Sequence, residues 1–151
     1  MTIFMSTERP PSGSPPINPD EPVRPARERP LDVLVVEDNW LVALETESSL
    51  QDAGYNVLNI AVSAEEAVEM CREQRPDFIL MDIRLAGERD GIDAAIEARQ
   101  RFDIPAIFLS AHDDPTLSRR AEPARPLGWL TKPITPDQLS RRLDRLLASR
   151  N

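Results

Sequence analysis

From Leu31 onward, short apolar runs rich in β-branched residues alternate with longer stretches of helical period. No other property of the chain constrains its fold as tightly. Leu31–Val36, Asn56–Ile60, Asp77–Asp82, Pro105–Leu109 and Leu127–Thr131 read as buried strands of a parallel sheet. Helices are expected from about Asn39 to Ala53, after the capping box Ser63-Ala64-Glu65-Glu66, and from about Gly91 to Arg101. Two more are expected, from roughly Pro115 to Glu122 and after Thr135-Pro136-Asp137-Gln138. Five strands alternating with five helices require right-handed crossovers and helices on both faces of the sheet, a doubly wound α/β fold.

Within the helices, Leu41, Leu44, Ser48 and Leu50 are expected near one face of the first, which Gly54 closes. Ala67, Val68 and Cys71 form the inner face of the second, so Cys71 reads as a small core residue rather than a reactive thiol. Pro123 and Pro126 cut the fourth helix short. Leu139, Leu143, Leu146 and Leu147 make a core stripe on the last. Beside it, Arg141, Arg142 and Arg145 read as a solvated face, with homodimerisation through this helix as the alternative.

Residues 1–30 hold 8 of the 15 prolines and balance four acids against four arginines. Such a segment buries too little apolar surface to offset its ordering entropy and reads as a disordered tail, with a docking peptide as the alternative. The net charge of −8 therefore rests on residues 31–151, the expected folded domain, and argues against DNA or an anionic membrane as partner. One cysteine allows no internal disulfide and suits a reducing cytoplasm. Residues 1–5 are apolar but too short for a signal-peptide core.

In a doubly wound sheet, chemistry gathers at the carboxyl ends of the strands. The first strand ends in Glu37-Asp38 and the third in Asp82. If those strands are neighbours, three carboxylates converge, and a hard divalent cation such as Mg²⁺ is the natural neutraliser. Asp38 alone could instead be a helix N-cap. Ser110 ends the fourth strand, and Lys132, the only lysine among 18 basic residues, follows the fifth. A hydroxyl and a compact ammonium around a metal-bound carboxylate make a receptor for a phosphoryl group, with Asp82 as nucleophile.

Glu37-Asp38, Asp82, Ser110-Ala111 and Lys132-Pro133 together resemble the receiver domain of bacterial response regulators, of the stand-alone, chemotaxis-regulator-like kind. The resemblance runs from residue 31 to about 149. It implies a flavodoxin-like sheet of order 2-1-3-4-5 and a phosphorylation-dependent switch rather than a conventional enzyme. It also implies transfer of a phosphoryl group from a sensor histidine kinase or histidine phosphotransfer protein to Asp82. Glu37, Asp38, Asp82 and the backbone carbonyl of Arg84 would hold Mg²⁺, while Lys132 and Ser110 would bind the phosphoryl group. Trp129 matches the aromatic switch position that follows Ser110, and Arg84, Ala111 and His112 fall at the pocket rim.

Alternatives remain at this stage. A phosphate-sink receiver or the receiver of a hybrid histidine kinase would share these residues. An aspartyl-phosphate phosphatase of the dehalogenase type would need a second acid where Arg84 stands. After Lys132, 19 residues remain, room for one helix and no output module.

Overall fold

The computed structural model describes residues 29–148. Five strands, β1 (Asp32–Val36), β2 (Asn56–Ala61), β3 (Phe78–Asp82), β4 (Ala106–Ser110) and β5 (Gly128–Thr131), pair in parallel in the order β2-β1-β3-β4-β5. The helices are α1 (Trp40–Asp52), α2 (Ala64–Gln74), α3 (Gly91–Phe102), α4 (Pro115–Arg120) and α5 (Pro136–Ala148). Strand alternation sends Val33, Val35, Phe78, Leu80 and Ile107 toward α1 and α5. Leu34, Val36, Ile79, Met81 and Phe108 face the layer built by α2 and α3.

Local chemistry sets the element ends. Thr135 and Gln138 cap α5 reciprocally, each side chain accepting the other's amide at 3.1 and 3.0 Å. α4 stops at Arg120, and a 3-10 turn at Glu122–Ala124 carries Pro123, as the prolines foretold. Arg99 of α3 donates to the carbonyls of Ala124 and Arg125 at 3.1 and 2.9 Å, satisfying backbone that a longer helix would have paired internally. Cys71 is fully buried, and burial pushes its thiol up to about 12, as expected of an inert core residue.

The expected inner face of α1 holds at Leu50 but not at Leu41, Leu44 or Ser48, which are exposed. Ala43 and Leu50 are buried, whereas Leu41 is 70% and Leu44 40% exposed. Ala43 and Leu50 lie two turns apart on one stripe, and Leu41 and Leu44 fall outside it. Ala53, not Gly54, occupies the cap of α1, and Gly54 follows in the left-handed region at φ +94°. Of the tail read at 1–30, residues 1–28 lie outside the described part. Arg29 forms a two-pronged ion pair with Asp77 at 2.8 and 3.0 Å.

One contact joins the α3 and α4 segments. Asp90 caps α3 in a reciprocal box with Asp93, and Arg120 binds both Asp90 oxygens at 2.8 and 2.7 Å and Asp93 at 3.0 Å. Burial opposes the charge on Asp90, yet the Arg120 guanidinium and the Asp93 amide outweigh it and hold the carboxyl below the usual aspartate range. A lowered carboxyl contributes stability above its unfolded pKa and loses it as the pH falls through the folded one. Arg120→Ala should therefore destabilise the domain by up to about 1 kcal/mol at neutral pH. In thermal melts across pH, that deficit should shrink below about pH 3.9; a deficit that persists there places the stabilisation elsewhere.

Candidate functional site

The register of the parallel strands decides which residues meet. Val36 lies beside Met81, Asp82 beside Leu109, and Ser110 beside Thr131. The residues at or just beyond these positions, Glu37, Asp82, Ser110 and Lys132, consequently crowd one edge of the sheet. With Asp38, Arg84, Ala111 and His112 they line a cleft of about 410 Å³.

Glu37, Asp82 and Ser110 are the only buried polar or charged residues among those described. Glu37 is anchored twice: its amide donates to the Ala61 carbonyl at 2.9 Å, and its Oε2 accepts the Asn39 amide at 3.1 Å. Asp82 Oδ1 accepts the Arg84 amide at 3.3 Å. Lys132 Nζ stands 3.4 Å from Glu37 Oε1 and 3.4 Å from Asp82 Oδ2. Burial pushes the Glu37 carboxyl above its ordinary range, and neighbouring Asp82 adds to the shift; the Asn39 amide and Lys132 oppose it.

Asn39, not Asp38, caps α1, accepting the Leu41 and Val42 amides at 3.1 and 3.2 Å. That leaves the exposed Asp38 carboxylate to the cleft, and the N-cap reading of this residue falls away. Oxygens of Glu37, Asp38 and Asp82 lie within 4.8 Å of one another. Three acids against one lysine leave a surplus of negative charge at short range. A hard cation with oxygen ligands suits this donor set, and it suits the three residues the sequence singled out.

Ser110 does not face the carboxylates freely. Its hydroxyl donates to the His112 carbonyl at 2.6 Å and accepts the His112 amide at 3.2 Å. His112 itself is exposed in the lining of the cleft and serves Ser110 through its backbone. Trp129 lies half-buried on β5 with its ring 4.7 Å from that of Phe108, its register partner, at an angle of 32°.

Two contributors escaped the sequence reading. Arg120 ties the loop after Asp82 to α4, and Gly91 starts α3 hard against the end of β3. A Cβ on Gly91 would come 2.1 Å from the Asp82 carbonyl oxygen and 2.9 Å from Met81 Cγ. A glycine at the first position of a helix, directly after a capping aspartate, was the available signal.

The model of the response regulator receiver domain matches residues 33–144. The phyllosphere-induced regulator PhyR of Methylorubrum extorquens is 35% identical over 111 residues, 72% of this chain and 40% of its own length. The transcriptional regulatory protein PdtaR of Mycobacterium tuberculosis is 34% identical over 106 residues, 70% of this chain and 51% of its own. The chain thus spans about half the length of these curated relatives, or less. Among solved structures, the receiver domain of a Pseudomonas aeruginosa sensor histidine kinase is 32% identical with a TM-score of 0.69, over 80% of this chain and 99% of that one. Its structure holds a magnesium ion coordinated in the active-site cleft.

The close approach at Gly91 yields a test. Gly91→Ala should force α3 off the end of β3, costing about 1–3 kcal/mol in urea unfolding. Displacing the Asp82 backbone should also weaken Mg²⁺ binding, read by the fluorescence of Trp40, two residues after Asp38. Parent-like stability and Mg²⁺ response in this variant would show that the approach tolerates a methyl group.

Proposed function

The chain belongs to the response regulator receiver family, and on that footing we propose that Asp82 accepts a phosphoryl group from a histidine kinase or histidine phosphotransfer protein and thereby switches contacts with a downstream protein. Receiver domains of this family are signalling switches of two-component systems rather than conventional enzymes. The observation that carries the reading for these residues is the buried Asp82 carboxylate, with Lys132 at 3.4 Å and two further acids around it.

An Asp82 oxygen attacks phosphorus, the phosphorus–nitrogen bond of the phosphohistidine breaks, and the imidazole leaves with the bonding pair. Glu37, Asp38, Asp82 and the Arg84 carbonyl are the residues that would hold Mg²⁺. When bound, that ion supplies positive charge to the phosphoryl oxygens. Lys132 supplies a second cation from the end of β5 and changes partners, from carboxylates to phosphoryl oxygens. Ser110 must release the His112 carbonyl to donate to the phosphoryl group, exchanging a neutral acceptor for a charged and stronger one. Phe108 lies two residues before Ser110 on the same strand and stacks on Trp129, giving the movement a short mechanical route to β5.

The phosphodonor has a suitable landing place. Trp40, Leu41 and Leu44 are exposed on α1, and a groove of about 530 Å³ beside it includes Val42, Ile134, Leu139 and Lys132. Apolar contact here would bring a donor histidine to the mouth of the acidic cleft. The alternative of a receiver belonging to a hybrid kinase keeps the same chemistry, and the Pseudomonas neighbour is the receiver domain of a sensor histidine kinase. No helix among the described residues is long and apolar enough to cross a membrane.

Incubation with acetyl phosphate and Mg²⁺ should add one phosphoryl mass, absent in Asp82→Asn, and Lys132→Ala should slow labelling by roughly 100-fold. Undiminished labelling of the Asp82 variant removes that residue as acceptor. The tryptophans supply an independent reading. Mg²⁺ should change the emission of Trp40, and Asp38→Ala should weaken that change. Trp129→Phe should keep the Mg²⁺ response while losing most of the additional change on phosphorylation; if that change survives intact, Trp129 has no part in the switch.

A further inference from the structure

The start of α3 is fixed independently of α4. Asp90 and Asp93 each accept the other's amide, at 3.1 and 3.0 Å, and the Gly91 amide donates to the Ile83 carbonyl at 2.8 Å. The Gly91 backbone also lies against the Asp82 carbonyl. α4, by contrast, is six residues long and buries none of them. A helix this short does not sustain itself in water. At its first turn Asp114 accepts the Thr116 amide at 2.9 Å, and Leu117 is partly buried against the α2–α3 layer. Its last residue is Arg120, whose guanidinium reaches both Asp90 oxygens and Asp93. In this clamp α3 is therefore the anchor, and α4 is the element that is held.

The Ser110 loop runs straight into α4. Asp114 caps the helix, and His112 stands two residues earlier. The His112 backbone holds the Ser110 hydroxyl in both directions, accepting from it at the carbonyl and donating to it from the amide. To reach a phosphoryl group, the hydroxyl either abandons both bonds or takes the peptide with it. The second course needs Asp114 and α4 to give way. We propose that Arg120 is a positioning residue for Ser110: by clamping α4 to the α3 cap it fixes the His112 backbone and keeps the Ser110 hydroxyl on that peptide. The clamp restrains phosphoryl acceptance, and weakening it speeds the reaction.

A guanidinium suits the part. Its planar fork meets two carboxylates at once, a geometry that a lysine ammonium does not reproduce. The three side chains are partly exposed, so the contact shifts an equilibrium by a few-fold rather than locking it, and phosphorylation can overcome it. The proposal rests on the reading of Asp82 as acceptor and Ser110 as donor to the phosphoryl group, and it adds a side chain that touches neither.

The test combines labelling of the full chain by acetyl phosphate and Mg²⁺ with hydrogen exchange of the unphosphorylated chain. Arg120→Gln should label at Asp82 about two- to fivefold faster than the parent, with Arg120→Lys in between. In a Ser110→Ala background, Arg120→Gln should change the rate no further, because no hydroxyl remains to be released. Asp90→Asn keeps a capping side chain but loses its charge, so it should speed labelling too, and its effect and that of Arg120→Gln should fall short of adding. Arg101→Gln breaks an ion pair with Glu97 in the last turn of α3 and should leave the rate at the parent value. Without phosphodonor, the Ser118 and Ala121 amides, bonded to the Asp114 and Leu117 carbonyls, should exchange faster in Arg120→Gln by a larger factor than the amides of β3. Parent-like exchange at those two amides overturns the proposal. So does labelling that is unchanged or slower in Arg120→Gln, or an equal acceleration in the Ser110→Ala background, which would mark a general loosening of the domain. A parent chain that does not label at Asp82 defeats the phosphotransfer reading instead, and the exchange result then decides the clamp by itself.

Discussion

Two carboxylates, Glu37 and Asp82, are buried side by side at the end of the sheet, and among the described residues Lys132 is the one cation within 4 Å of both. The rest of the structure depends on this imbalance. Burial raises the cost of each negative charge, and the raised Glu37 carboxyl records that cost. Hydrophobic residues in these positions would stabilise the domain more, so the acids stand there at the expense of the fold. A site in this condition attracts whatever positive charge it can hold, and Lys132 already bridges the two carboxylates.

The parallel sheet supplies the precision. Strand register brings four chain segments to one edge without any of them being close in sequence. The supporting contacts are less visible but equally specific. Asn39 takes over the cap of α1 and leaves Asp38 to the cleft; Gly91 lets α3 approach the Asp82 backbone; Arg120 fastens the loop after Asp82 to α4. The α4 segment follows the Ser110 loop, so the clamp ties together the two loops that border Asp82. A change at Ser110 therefore has a physical path to α4 as well as to Trp129.

Most of the framework was legible in the sequence because it follows from local pattern. Apolar runs of strand length, the cap at Ser63, the capping box at Thr135, and prolines at 123 and 126 each act within a few residues of themselves. The acids at the ends of β1 and β3 were legible for the same reason, given a fold that makes those strands neighbours. What escaped depends on distant partners. Leu41 and Leu44 look like core residues until the stripe through Ala43 and Leu50 is seen to face the sheet. Arg120 is one arginine among 17 until Asp90 and Asp93, far away in the chain, come within 3.0 Å of it. The hydroxyl of Ser110 belongs to the cleft by position but to the His112 carbonyl by geometry, which no spacing rule reveals.

The central claim is that the Asp82 carboxylate, held between Lys132 and two other acids, becomes an acyl phosphate. Reductive trapping tests it most directly. Borohydride converts an aspartyl phosphate, but not a free carboxylate, to homoserine, and fragmentation of the digested chain locates the altered residue. After incubation with a phosphorylated histidine kinase and Mg²⁺, the account predicts homoserine at position 82 and at no other acid of the cleft. Homoserine at Asp38, or at any aspartate outside the cleft while position 82 stays unaltered, would contradict it.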